Sequence, residues 1–80
     1  MKDAMVTELK ELFGEIEGAV VLHWEGDESE ATHYFNLDQA LSDVADAAIE
    51  RNMTAEQIEA LAYIVTEAEF EAQEEEYKNS

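Results

Sequence analysis

Carboxylates are the side chains in this sequence that are abundant enough to suggest chemistry, because Asp and Glu account for 21 of the 80 residues. A hydrolase that works through two carboxyls needs them at a set distance, with the pKa of one of them raised. None of the acids lies within an apolar stretch that predicts burial. We therefore expect solvated acidic surface and no catalytic pair.

The spacing of the acids indicates binding. Side chains three or four residues apart on a helix lie roughly 5–6 Å from each other at Cβ. Two rows have this spacing, Glu8, Glu11 and Glu15 near the start and Glu67, Glu71, Glu74 and Glu75 near the end. Like charges in such a row destabilise a helix by a few tenths of a kcal/mol per pair, roughly. The rows resemble the charges along a nucleic-acid strand, so a basic groove that holds a phosphate backbone is a suitable partner.

Two histidines raise the question of a metal site. His23 and His33 fall on neighbouring predicted strands and lie opposite each other if the hairpin closes around Glu28. With Glu25 or Glu30 they would make a two-histidine, one-carboxylate set. Residues in this pattern are more often half-exposed neighbours across a hairpin, and we predict no metal and no cofactor. The Ser and Thr residues show no arrangement with a base and an orienting group. We expect that the protein is not an enzyme.

The aromatic residues are candidate anchors for a partner. Tyr63, Phe70 and Tyr77 recur every seven residues. On a single helix, they would form a stripe that points away from the predicted core face. That stripe is either a docking surface for a partner or a second copy of the chain, or it is partly core, with Tyr63 buried. Trp24 is either an anchor within an acidic rim or a core residue.

Composition limits the classes of protein that remain. The formal net charge is −17, apolar residues make up 46% of the chain, and cysteine is absent. This predicts one folded domain over residues 1–80 without disulfides or thiolate metal sites. No stretch resembles a signal peptide or a membrane span, so we expect a cytoplasmic protein. The negative charge disfavours direct binding to nucleic acid or to an anionic membrane.

The apolar pattern predicts an α+β fold that positions these groups. We expect an amphipathic helix over 2–17, strands over 19–24 and 31–35 joined by a turn at 26–30, a second helix up to residue 50, and a third over 54–77. The order is α-β-β-α-α, with a two-stranded antiparallel hairpin and a frayed tail at 78–80.

Capping residues mark the starts of the last two predicted helices. Asn36 is followed three residues later by Gln39, and Thr54 is followed by Gln57, the spacing of a capping box. Met53 is placed to pack against Ile58 across the second cap. These signals fix where the helices start but not where they end.

The short length, the Glu-rich helices, the acidic hairpin at Glu25–Glu30 and the Glu67–Glu76 run together resemble a known class. They are similar to the small acidic inhibitors carried by phages and mobile elements, including anti-CRISPR and anti-restriction proteins. The resemblance is one of character and rests on no motif matched residue by residue. It implies a DNA mimic that blocks a DNA- or RNA-handling defence protein in the host cytoplasm.

Three functions stay open at this point. The first is an inhibitor that occupies the nucleic-acid groove of a basic protein, and the second is an immunity protein or antitoxin for a basic toxic nuclease. The third is a small homo-oligomeric adaptor, for instance a homodimer formed through the aromatic stripe or a hairpin edge. The residues predicted to contact a partner are Glu25, Asp27, Glu28, Glu30, Glu67, Glu71, Glu74, Glu75, Trp24, Phe70 and Tyr77.

Overall fold

Helices cover both faces of a three-stranded sheet in this computed structural model, which describes residues 2–78 and their side chains except those of 28, 29 and 76–78. Its elements are α1 (Lys2–Phe13), β1 (Val20–Trp24), β2 (Asp27–Tyr34), α2 (Leu37–Glu50), α3 (Ala55–Glu59), β3 (Ala62–Thr66) and α4 (Glu67–Lys78). The predicted α+β class is confirmed. The order α-β-β-α-α matches the first five elements, whereas the two-strand count is wrong because β3 joins the sheet and α4 follows it. Of the predicted frayed tail, residues 79 and 80 lie outside the described residues.

Helix α1 ends earlier than its apolar pattern predicts. It stops at Phe13, and not at residue 17, because Gly14 adopts a φ of 79°. The Gly14 N–H still donates to the Lys10 carbonyl at 2.9 Å, which closes the last turn. A glycine with positive φ directly after the last helical residue is a common helix end. The later apolar residue Ile16 therefore packs against the core from a loop.

The hairpin turn is tighter than predicted. It consists of Glu25 and Gly26, and β2 starts at Asp27, so the turn does not close around Glu28. Gly26 has a φ of 87°, which suits a two-residue connection. The antiparallel register becomes irregular between Leu22 and Trp24.

Helix α2 forms as its sequence predicts. The Asn36 side chain accepts a hydrogen bond from the Gln39 N–H at 2.9 Å, and Gln39 Oε1 in turn accepts from the Phe35 N–H at 3.2 Å. The helix buries one complete face. Its buried residues are Leu37, Ala40, Leu41, Val44, Ala45 and Ala48.

The predicted third helix is interrupted: residues 55–59 and 67–77 are helical as predicted, but the segment between them is not. The capping box is confirmed, since Thr54 Oγ1 accepts from the Gln57 N–H and Gln57 Oε1 accepts from the Thr54 N–H. However, α3 ends at Glu59, and Ala62–Thr66 runs antiparallel to β1 as β3. Three β-branched residues and a tyrosine favour a strand there. Pairing also covers the edge of β1 that a two-stranded hairpin leaves open.

The sheet has the order β2-β1-β3 and divides the molecule into layers. Leu22 and Ala62 on one face join the main core with residues of α1, α2 and α3, such as Leu9 and Ile58. Helix α4 packs on the opposite face, where it contacts β1 and β3. Ala68 and Ala72 on α4, which the apolar pattern assigns to the core face of the predicted third helix, are exposed.

The hydroxyl of Tyr34 ties β2 to α2. It donates to an Asp43 carboxylate oxygen at 2.6 Å, and partial burial together with this bond raises the pKa of Tyr34 to about 12. An unfolded tyrosine titrates near about 10. The stability that this shift contributes is therefore complete below a pH of about 10 and is lost as the pH rises through about 12.

We expect one of the three tyrosines to ionise late in an alkaline titration followed by phenolate absorbance. The late step should disappear in Tyr34→Phe, and in Asp43→Asn it should move towards lower pH because the charged acceptor is gone. If Tyr34→Phe left the titration curve with its late step, another tyrosine would be responsible and the assignment to this contact would be wrong.

Candidate protein-binding surface around helix α4

The Phe70 ring attaches α4 to the sheet through contacts with two histidines. The Phe70 ring lies between two histidines, with ring centroids 5.4 Å from His23 and 5.6 Å from His33. The start of the helix is fixed by Thr66 Oγ1, which accepts from the Glu69 N–H at 3.1 Å. No described side chain of α4 is fully buried. Phe70 is therefore the main attachment of an otherwise polar helix.

The histidines do not sit directly opposite each other as predicted. His33 pairs with Val21, and His23 lies two residues further along β1 on the same face. They meet through Phe70 because all three side chains share the α4 side of the sheet. Among the described residues, no group of three His, Cys, Asp or Glu is placed to hold a metal ion.

The direction of α4 brings it back across the sheet. Its first N–H, on Glu67, donates to the Ala19 carbonyl at 3.0 Å, just before β1 begins. Three residues later Phe70 contacts His23, which lies near the hairpin end of β1. The second half of α4 therefore extends from the sheet towards the hairpin end of the molecule.

The side chains of α4 on either side of Phe70 face different strands of the sheet. At about 100° per residue, Glu67 and Glu74 face the β2 side, and Gln73 faces the β3 side. The grooves beside the helix agree, because Glu67 lines one with His33 and Gln73 lines the other with His23. Glu71 shares the stripe of Glu67 and Glu74, at positions i, i+4 and i+7. We call these three residues the α4 carboxylate row.

The α4 carboxylate row has no cation near it among the described side chains. Lys2 pairs with Asp46 at 3.1 Å and Lys10 with Asp38 at 2.8 Å, which joins α1 to α2. The hydrogen bond to Asp38 and its charge raise the pKa of Lys10. Arg51 donates to the Ala47 carbonyl at the end of α2. The cations whose side chains are described therefore lie on α1 and at the end of α2, and none of them pairs with the α4 carboxylate row.

A groove of about 340 Å³ separates α4 from β3. It is lined by His23, Tyr63, Val65 and Gln73, and Tyr63 is 48% exposed. Tyr63 thus lies on β3 and Phe70 on α4, so the predicted aromatic stripe along one helix is wrong. Tyr77, its third member, has a side chain outside the described part of the chain.

Phe35 is a candidate anchor that sequence reasoning missed. It lies between β2 and α2, is 85% exposed, and lines a groove of about 320 Å³ with His33, Tyr34 and Glu67. The sequence pattern placed it inside a strand. The sequence signal for its exposure was its position directly before the Asn36 cap, where the chain leaves the sheet.

The hairpin contributes a second group of acids. Glu25, Asp27 and Glu30 are exposed, while the side chain of Glu28 lies outside the described part of the chain. Trp24 is half-buried and packs against the core, so only part of its ring is open to a partner. Of the other predicted contact residues, Phe70 is half-buried and Glu75 is exposed.

The first predicted row of acids is divided between two grooves, because Glu15 lies beyond the end of α1 and lines a groove with Lys10 and Asp38. Glu8 and Glu11 face Glu56 across a space of about 270 Å³ between α1 and α3, beside the exposed Leu12. This groove lies on the helical layer that covers the main core. It offers a matched acidic surface against which to compare the α4 carboxylate row.

Comparisons with known proteins return no match: no family model fits the chain, and neither the curated proteins nor the solved structures contain a significant relative. In the described range, no helix combines the length and the apolar character needed to cross a membrane.

Proposed function

We propose that this protein is an inhibitor that binds the nucleic-acid groove of a basic DNA- or RNA-handling protein as a nucleic-acid mimic. The observation that supports the proposal best is the α4 carboxylate row, which has no Lys or Arg near it among the described side chains. Uncompensated like charge destabilises the folded chain. Its concentration on a weakly attached helix is explained if a cationic partner binds there. The proposed partner is a nuclease or a CRISPR or restriction component in the cytoplasm.

The dimensions of the row suit this function. Glu67 and Glu74 are seven residues apart, which is about 10 Å along a helix axis. Three nucleotides rise by about the same length along one strand of a duplex, at roughly 3.4 Å each. Lysines and arginines that contact phosphates three nucleotides apart therefore meet Glu67 and Glu74 at a similar axial separation.

Capture from a host-like lysate tests the proposal. The immobilised protein should retain a basic nucleic-acid-binding protein that is released by salt and displaced by duplex DNA or by RNA, because both ligands use the same groove. A captured partner that is indifferent to salt and to nucleic acid would contradict mimicry. The control bait is the chain with Glu67, Glu71 and Glu74 replaced by glutamine, which should capture less.

A second candidate is an immunity protein or antitoxin for a basic toxic nuclease, and the exposure of Phe35 supports it. Phe35 is 85% exposed and lines a groove with Glu67, so its ring is accessible to a partner beside the α4 carboxylate row. In immunity-type binding, an aromatic anchor contributes most of the affinity, whereas in mimicry the carboxylates contribute most of it.

Phe35→Ala separates the two candidates. If the partner is bound through an aromatic anchor, this change should weaken binding by about 30-fold or more, as hot-spot residues contribute about 2 kcal/mol or more. Any single Glu→Gln change should then cost less. Leu12→Ala is the matched control, because Leu12 is an exposed apolar residue on α1. Equal affinities for Phe35→Ala and Leu12→Ala, measured by calorimetry, would exclude the anchor.

A further inference from the structure

The two edges of the sheet are protected to different degrees. The β2 edge carries the acidic residues Asp27 and Glu30 and an irregular register, features that discourage pairing with another strand. The β3 edge consists of Ala-Tyr-Ile-Val-Thr, which has no charge and no proline, and its register with β1 is regular over all five residues. Within the described part of the chain, no strand lies beyond β3 in the sheet order. Only the β3 edge is suited to accept another strand.

The hydrogen bonds at the ends of β3 define which backbone groups face outwards. The Glu25 N–H donates to the Leu61 carbonyl at 2.8 Å, and the Glu67 N–H donates to the Ala19 carbonyl at 3.0 Å. Bonded pairs alternate along an antiparallel ladder. Tyr63 and Val65 therefore bond to β1, while the N–H and C=O groups of the alternate residues point away from the sheet. These alternate residues are Ala62, Ile64 and Thr66.

Next to this edge lies the groove between α4 and β3. Tyr63 and Val65 form its floor on the strand, and Gln73 forms its wall on α4. Glu69, four residues before Gln73, lies on the same side of α4 and is exposed. A strand added to β3 would place every second side chain over the groove and beside this carboxylate. Long cationic side chains fit both features, because their stems are apolar and their ends are charged.

We propose that the β3 edge binds an extended Lys- or Arg-bearing segment of the partner protein, which adds a fourth strand to the sheet. The positive charge of that segment rests on the proposed function, whereas the strand pairing rests on the edge alone. Backbone hydrogen bonds supply affinity and alternate side chains supply specificity in this mode of recognition. A second copy of the chain is a less suitable ligand for the β3 edge than a cationic segment. Each copy carries a formal charge of −17, so pairing would bring two acidic surfaces together.

A synthetic peptide tests the edge without knowledge of the partner. The probe is a nine-residue peptide that alternates Lys with Val and Thr, and its control is the same peptide methylated on its central amide nitrogens. The control keeps the charge and side chains but cannot donate backbone hydrogen bonds. We expect the probe to slow exchange of the Ile64 and Thr66 amide protons at least tenfold by NMR. The Tyr63 and Val65 amides, already bonded to β1, should change little, and the control should bind at least tenfold more weakly.

Other outcomes would overturn the proposal. Equal affinity of the two peptides would show that charge alone drives binding, and no binding at millimolar concentration would show that the edge is closed. Protection of Ile64 in the free protein, together with a dimeric mass, would make a second copy the occupant. A captured partner that leaves the Ile64 and Thr66 amides in fast exchange would reject the edge proposal and leave the proposed inhibitor function intact.

Ile64→Pro provides the matching change on the protein side. Proline is tolerated on edge strands where its missing N–H would face solvent, so the variant should fold yet bind the probe at least tenfold more weakly. Ile64→Val, which keeps the outward N–H, should bind as the unchanged chain does. Ile64 also packs against the core. If Ile64→Pro does not fold, the comparison of methylated and unmodified peptides on the unchanged protein still decides.

Discussion

Replacing Glu67, Glu71 and Glu74 by glutamine is expected to weaken binding of the basic partner by on the order of 100-fold. An exposed ion pair contributes up to about 1 kcal/mol, so three losses amount to about 3 kcal/mol, and each 1.4 kcal/mol is about a factor of ten. Salt dependence should also fall, because fewer ions are displaced on binding. Glutamine keeps the length and helix propensity of glutamate, so the fold should be retained.

The matched control removes the same charge from another surface. Glu8, Glu11 and Glu15 have nearly the same spacing on and after α1, and Glu8 and Glu11 line the groove against α3. The triple glutamine variant at these positions should change the affinity less than tenfold when measured by titration calorimetry at two salt concentrations. Equal losses in the two variants would mean that net charge, and not the α4 carboxylate row, determines binding.

Local signals in the sequence were sufficient to predict the starts of the helices. Asn36 with Gln39 and Thr54 with Gln57 satisfy the first N–H groups of a helix through side chains close in sequence, and both caps are present. The apolar face of α2 was predictable for the same reason, since its 3.6-residue period is a property of the helix alone. The end of α1 was predicted too late, because the apolar pattern continues past Gly14, where the helix ends.

Strand β3 was not predictable because its pattern fits two structures. Ile58, Leu61, Ala62 and Val65 have the spacing of a helical core face, and Glu-rich flanks favour a helix on both sides. The strand forms because β1 has an open edge that only a segment distant in sequence can cover. That gain depends on tertiary pairing, which local propensity does not contain. The error also placed Tyr63 and Phe70 on one helix when they belong to a strand and the helix that follows it.

The candidate surface was predictable in its chemistry but not in its arrangement. The Glu67–Glu75 acids were identified from their spacing, and they do lie on a helix. How the Phe70 ring packs on the sheet determines which of these acids lie on the same side of α4 as Phe35. That packing involves two histidines more than 36 residues earlier in the chain. The exposed position of Phe35 likewise follows from the turn between β2 and α2.

The same packing makes Phe70→Ala the change with the largest expected effect on the structure of the surface. A helix of 12 residues is marginal in water by itself, and repulsion between Glu67 and Glu71 weakens it further. Without the ring packed on His23 and His33, Glu67 is the one described side chain of α4 that is still half-buried. We expect α4 to detach and lose its helix, while the core around Leu41 and Val44 stays folded.

Amide hydrogen exchange measures this detachment residue by residue. In Phe70→Ala, residues 70–75 should exchange at the rate of an unstructured chain, whereas the amides of α2 should keep most of their protection. Phe70→Leu, which keeps an apolar side chain, is the control and should retain part of the helix. Protected α4 amides in Phe70→Ala would show that Thr66 and the polar contacts are sufficient. If α4 does detach, the affinity for the partner should fall to that of the α4 triple glutamine variant. The carboxylates of the row would then no longer be held at a fixed spacing that matches a cationic groove.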